Sequence, residues 1–248
     1  MIVCEIGLNH LGDRRYADAY VDAVLQSGAE ALTVQVREPE FYRQKKYAQY
    51  VLKDDDYSAI LEKVHRAGRI FGVAICDEDR INFFESINTD FYKALYKDIN
   101  NWTLTDRLME TKKPVYFSTG AASPDDITRL IARYSGGLDN LRLIHTQMSN
   151  DIEDVNLKRL RNLTQKFHVP VAYGNHCRDL TVLYLALAFE PTDMFIYVKG
   201  ERSTAHPDEA HAVPLDRLEA LFNQLKVLAL AIGDGIKSNT TLRIEGMR

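Results

Sequence analysis

Glu5, Asn9 and His10 fall within six residues of one another, around Gly7, at the end of an apolar N-terminal run. An acid, an amide and an imidazole so close together can exchange protons and grip a polar ligand. Ile2–Ile6 reads as a buried strand, in which an unpaired carboxylate is costly, and Asp13 reads as the opening of a helix. Lys93 interrupts a second apolar run, Phe91–Leu95, in the same way. Glu5 and Lys93 are therefore candidate partners in a buried ion pair, and such a pair either supports the fold or tunes a reactive group.

Polar residues recur wherever an apolar run stops. They are Gln35 and Arg37, then Asp77, Lys97, Ser118-Thr119-Gly120, His145 with Ser149 and Asn150, Asn175-His176, and finally Lys199, Glu201 and Asp208. Ser118-Thr119-Gly120 suits a turn as well as it suits a phosphate, and His176 suits a metal or a substrate. His206 and His211 lie in a polar, Pro-containing loop and read as solvated.

The elements that must position these residues are short and regular. Runs at Ile2–Ile6, Ala31–Val36, Ile70–Ile75, Phe91–Leu95, Val115–Phe117, Leu141–Ile144, Val169–Tyr173 and Met194–Val198 have the composition of strands buried on both faces. Amphipathic segments alternate with them. Ala17, Tyr20, Val21, Val24 and Leu25 follow helical spacing, as do Leu215, Leu218, Leu221, Phe222 and Leu225. Ser123-Pro124-Asp125-Asp126 carries an N-cap, a proline at the first helical position and acids in the first turn. Eight such units in 248 residues match a single α/β (β/α)8 TIM barrel, whose chemistry gathers at the C-terminal strand ends. A doubly wound open sheet is the competitor, but no Gly-x-Gly-x-x-Gly turn follows a strand. Residues 1–232 are expected to form the barrel and 233–248 a tail, with Arg37 to Asp56 elaborated over the barrel mouth.

A net charge of -4 offers no basic face to nucleic acid. The longest apolar stretch, Val182 to Phe189, is too short to span a bilayer. Three widely spaced cysteines without a Cys-x-x-Cys pair point to reduced thiols and a cytoplasmic location, and no leading secretory segment is visible.

These residues resemble the sialic acid synthase family. Glu5-Ile6-Gly7-Leu8-Asn9-His10-Leu11-Gly12 is similar to the family's Glu-Ile-Gly-x-Asn-His-x-Gly, and Gly28 to Gln35 to its Gly-Ala-Asp-x-x-Lys-Phe-Gln. Lys93 with Asp98-Ile99, Ser118 to Ala122, Ile144-His145 with Asn150 and Asn156-Leu157, Tyr173-Gly174-Asn175-His176, and Pro207-Asp208 resemble further family segments in the same order. The resemblance implies condensation of phosphoenolpyruvate with a sugar aldehyde to give a keto-sugar acid. It implies that Glu5, Lys93 and His176 are catalytic, with Glu5 handling protons. Lys93, Ser118 and Asn150, beside Thr119, would hold the enol phosphate. Asp208 and Gln35 would bind sugar hydroxyls, with Asn9 and His10 also at the substrate. The implied partners are a small sugar or keto acid, with neither nucleic acid nor membrane, and the resemblance allows a homodimer.

The departures concentrate on phosphate and metal. Thr33 stands where the family has a lysine, Gly174 and Tyr96 where it has serines, and the family's strand-eight Glu-Lys-His falls within Tyr197 to Gly200, which has no histidine. The divalent metal that the resemblance implies, manganese or magnesium, keeps His176 and loses its companion. One imidazole is a poor protein site for such an ion. Lys199 is the cation available to take the metal's place. The small C-terminal antifreeze-like domain of the family is absent from the sequence given. A keto-acid aldolase or isomerase on the same barrel, and a non-catalytic barrel that binds a sugar acid or a protein partner, are the alternatives that these losses leave open.

Overall fold

The computed structural model describes residues 1–200 and 205–233. Among them, eight parallel strands pair in sequence order: β1 (Ile2–Gly7), β2 (Ala31–Val36), β3 (Ile70–Ile75), β4 (Phe91–Ala94), β5 (Val115–Ser118), β6 (Leu141–His145), β7 (Val171–Asn175) and β8 (Met194–Lys199). β1 also pairs with β8, with Glu5 opposite Tyr197 on one side and Thr33 on the other, so the sheet closes. A two-residue strand, β9 (Val213–Pro214), adds to β8 beyond the ring. The expected TIM barrel is the observed fold. Strand limits shift by one residue at most places and by two in β7, where Pro170 cannot donate to the ladder.

Helices Arg14–Gln26, Asp54–Arg66, Pro124–Arg133 and Leu218–Ile232 are among those that pack outside the ring. Asp13 caps the first, accepting the Tyr16 amide at 3.1 Å. Ser123 and Asp126 form a reciprocal capping box on the third. The stretch read as one long loop contains a short helix, Pro39–Arg43, and the first turn of Asp54–Arg66. Its middle lies on the turn after β1, where a side-chain carbon at Gly12 would overlap the Gln49 carbonyl.

Strand alternation fills the barrel in layers. Val3, Ala31, Phe91, Tyr116, Ile144, Ala172 and Phe195 form an apolar layer toward the N-terminal end. Two residues further along the strands, the same face carries Glu5, Thr33, Lys93, Ser118, Gly174 and Tyr197. The inward-facing positions thus turn polar as the strands approach their C-terminal ends. No helix among the described residues is long and apolar enough to cross a membrane.

Candidate functional site

Glu5 and Lys93 meet in the barrel axis, carboxylate to ammonium at 2.5 Å, with side chains 2% and 5% exposed. Isolating either charge here would cost several kcal/mol, so each is tolerable only with the other. The Lys93 ammonium also lies 5.3 Å from the ring centre of Phe195 and 5.5 Å from that of Tyr197, distances at which an aromatic face attracts a cation. Glu5 arrives from β1 and Lys93 from β4, so the two are joined only by closure of the ring.

Tyr197 is the hub of the second half of the site. His176, just past β7, lies 5.6 Å from it, ring centre to ring centre, and His211 lies 5.1 Å away. The two imidazoles are 4.6 Å apart. Asp208 completes the group from the loop after β8. A Cβ at Gly7 would lie 2.9 Å from both the Asp208 Oδ2 and the Tyr197 Cε1 atoms, which leaves room there only for glycine. Gly7 also has φ +57, the left-handed conformation that ends β1.

Burial sets the charges in this group. It raises the Asp208 carboxyl to about 7, with the nearby Glu5 adding to the rise and Lys93 opposing it. Burial lowers His176 to about 3, reinforced by His211 and Lys93 and opposed by a hydrogen bond with the Gln147 backbone. Burial lowers His211 to about 4, with Lys93 and Lys199 pushing the same way. At neutral pH both rings are uncharged, and Asp208 is shared between its acid and its carboxylate form.

A set of hydrogen bonds holds the loop that delivers Asp208 and His211. Asn9 donates from Nδ2 to the Val198 carbonyl at 2.8 Å and accepts the Asp208 amide at 3.1 Å. His206 donates from Nδ1 to Glu209 at 2.9 Å, which leaves Nε2 to accept the Tyr16 hydroxyl at 2.8 Å. Lys199 donates to the Glu209 carbonyl at 2.9 Å and pairs with its carboxylate. His211 donates from Nδ1 to the Asn150 Oδ1 atom at 3.1 Å.

The fold brings Glu5, Lys93, His176 and Asp208 together, and places Ser118 and Gln35 on the same barrel-facing side of β5 and β2. Others of the sequence candidates make hydrogen bonds within the fold. Asn9 anchors the Asp208 loop. Thr119 donates to the Ile144 carbonyl at 3.0 Å. His10 accepts the Gly12 amide at 2.9 Å and shapes the turn after β1. Lys199 is held by Glu209 rather than standing free, and Asn150 orients His211. His145 bonds the Val155 carbonyl at 2.8 Å, and Asp77 caps a short turn. Glu201 and residues 234–248 of the expected tail lie outside the described residues.

Two readings are corrected. His206 is 5% exposed and fixed by two hydrogen bonds, and the His211 side chain is 11% exposed within the site, so neither is solvated. Loop polarity suggested otherwise because the partners, Tyr16, Glu209, Asn150 and His176, are remote in sequence or carry no periodic signal. Tyr197 is a further site residue that the pattern of polar strand ends does not pick out. Its place two residues after Phe195 in a barrel strand could have revealed its inward face.

The expected loss of a companion for His176 is not what the fold shows, because a second imidazole, His211, stands 4.6 Å from it, ring centre to ring centre. Among the described residues no three His, Cys, Asp or Glu side chains are placed to share a divalent ion. Phe195, Tyr197 and Lys199 share the barrel-facing side of β8 by alternation, and the Lys199 ammonium is held on Glu209. Gly200 faces the other way, and a Cβ there would lie 2.2 Å from the Tyr16 hydroxyl oxygen.

The sequence model of the NeuB family matches residues 20–237. An N,N'-diacetyllegionaminic acid synthase of Campylobacter jejuni is 22% identical over 262 residues, covering 96% of this chain and 78% of the relative. The human N-acetylneuraminate-9-phosphate synthase is 21% identical over 258 residues, covering 95% of this chain and 72% of its own. A crystal structure of the sialic acid synthetase of Leptospira borgpetersenii superposes with a TM-score of 0.89 at 21% identity, covering 97% of this chain and 87% of that one.

Proposed function

The chain belongs to the NeuB family, and from that premise we propose that it is a sugar-acid synthase, condensing phosphoenolpyruvate with a sugar aldehyde into a keto-sugar acid and releasing phosphate. The observation that carries this reading is the buried Glu5–Lys93 pair facing two neutral imidazoles and a half-protonated carboxyl across Tyr197. That combination offers a fixed cation for an anionic substrate and both a proton donor and a proton acceptor near neutral pH.

In this reading Lys93 faces the carboxylate and phosphate of the enol substrate, with Ser118 and the Asn150 amide as donors. Glu5 holds the Lys93 ammonium in place. Asp208, in its acid form, donates a proton to the aldehyde oxygen as the new carbon–carbon bond forms. Gln35 binds the sugar. Lys199 supplies positive charge where a metal would otherwise act, polarising the carbonyl from its anchored position beside Glu209. An aldolase reading requires a free amine for a Schiff base, and the close contact of Lys93 with Glu5 speaks against it.

The test is phosphate release from phosphoenolpyruvate across a panel of aldoses, with manganese and with a chelator. Release that survives the chelator and disappears in Lys199→Met is the expected result. Release that requires manganese would discard the role of Lys199, and silence across the whole panel would discard the reaction. Trapping of Lys93 by borohydride in the presence of pyruvate would favour the aldolase instead.

A further inference from the structure

Thr146 is the β6 member of the polar ring inside the barrel mouth. It follows Ile144 of the apolar layer by two residues, so alternation sets it on the barrel-facing side, between Ser118 of β5 and Gly174 of β7. Both neighbouring strands agree with that placement. A Cβ at Gly120 would lie 3.2 Å from the Thr146 Cγ2 methyl, and a Cβ at Gly174 would lie 3.4 Å from the Thr146 Cβ and 3.6 Å from its Oγ1. The methyl turns toward β5 and the hydroxyl toward β7.

Thr146 and Gly174 complement each other. The same Cβ at Gly174 would lie 2.8 Å from Ile144 Cγ2, so side chains of β6 fill the space that a side chain of β7 would need. At position 174 the family resemblance sets a serine. In this chain the hydroxyl beside that position is carried by β6 instead.

That hydroxyl is poorly used by the fold. Thr146 is 6% exposed, and its one hydrogen bond among the described residues is a 3.3 Å contact with the Gln147 carbonyl. Hydroxyl donors ordinarily reach oxygen at about 2.7–2.8 Å. The His176 ring also bonds the Gln147 backbone, so the carbonyl has a second claimant. Thr119, one strand away, shows the contrast, donating to the Ile144 carbonyl at 3.0 Å. A hydroxyl hydrogen rotates to the better acceptor, and an anionic oxygen is one, because charge-assisted hydrogen bonds are shorter and about twice as strong. Lys93, next round the ring beyond Ser118, supplies the charge that draws an anion here.

We propose that Thr146 binds the phosphate of the enol substrate, donating from Oγ1 to a phosphoryl oxygen, so that β6 supplies the hydroxyl that β7 lacks. This rests on phosphoenolpyruvate being the substrate, as argued above. Lys93, Ser118 and Thr146 then form one arc over β4, β5 and β6, with a cation at one end and two hydroxyls beside it.

Titration calorimetry of the intact chain with phosphoenolpyruvate tests it. Thr146→Val keeps the volume and loses the hydroxyl, and should weaken binding about tenfold or more. Thr146→Ser keeps the hydroxyl and loses the methyl, and should bind within about threefold of wild type. A packing role would reverse that order. Pyruvate has the carboxylate without the phosphate, and should bind Thr146→Val as it binds wild type. Wild-type affinity in Thr146→Val, an equal loss in both variants, or an equal loss for pyruvate would each overturn the proposal. The phosphate-release assay separates it from the reaction. A wild-type protein that binds phosphoenolpyruvate through Thr146 and releases no phosphate loses the condensation and keeps this donor. One that releases phosphate while Thr146→Val binds as wild type keeps the condensation and loses the donor. Absence of phosphoenolpyruvate binding in wild type would overturn both.

Discussion

At the N-terminal end of the barrel, Asp193 accepts the chain's amino terminus at 3.1 Å and the Tyr116 hydroxyl at 2.9 Å, above a layer of interlocking Phe91, Tyr116 and Phe195 rings. At the C-terminal end, Asp208 is driven toward protonation by its surroundings and His211 keeps a bare nitrogen. The same strands supply both ends. One end satisfies its buried carboxylate and fills its space with apolar side chains, as stability requires. The other leaves polar capacity unused, which a fold retains where a ligand will supply the missing partners. The difference separates residues that hold the barrel shut from residues that act in it.

Replacing Lys93 with Met should break the comparison most severely. It strands the Glu5 carboxylate, costs about 3–5 kcal/mol in denaturant unfolding, and abolishes phosphate release. The double variant Glu5→Leu/Lys93→Met should recover most of the stability and none of the turnover. If it recovered turnover, the pair would be structural, like the groups at the opposite end.

Phe91→Ala, in the apolar layer, should cost about 3 kcal/mol while leaving KM intact at temperatures where the protein is folded. A raised KM would show that the two ends are not separable. Asp208 sharpens the contrast through pH. Its carboxyl is held near 7 when folded and titrates near the ordinary carboxylate range of about 4 when unfolded. Between these values the folded state binds more protons, so its stability falls as pH rises and levels off above pH 7. Asp208→Asn should remove that slope and gain on the order of 2 kcal/mol at pH 8, allowing for the partial exposure of the side chain; an unchanged slope would show that the Asp208 carboxyl is not held near 7. The smallest effect is expected from Tyr116→Phe, about 1 kcal/mol in stability, with kcat unaltered because Asp193 keeps its amino-terminal partner.

The apolar runs, their near-even spacing and the caps at Asp13 and Ser123 make the barrel readable in the sequence, because each is a local property of a few adjacent residues. So was the pairing of Glu5 with Lys93, since two charges in two buried strands have few ways to be tolerated. Asn9, His10 and Thr119 are ambiguous in the sequence for a related reason. A polar residue at a strand end is equally suited to a ligand and to a nearby backbone group, and only the folded chain brings up the Val198 and Ile144 carbonyls and the Gly12 amide that bond them.

Sequence by itself determined the strands, the inward alternation and the acid and base types available, since these follow from covalent order and from the cost of burying charge. The tertiary structure alone decided that a loop after β8 folds back through Asn9, Tyr16 and Lys199 to set His211 against His176. Contacts between residues 10 to 199 positions apart leave no local pattern, because they arise only when the ring closes and the loop's hydrogen bonds are satisfied together.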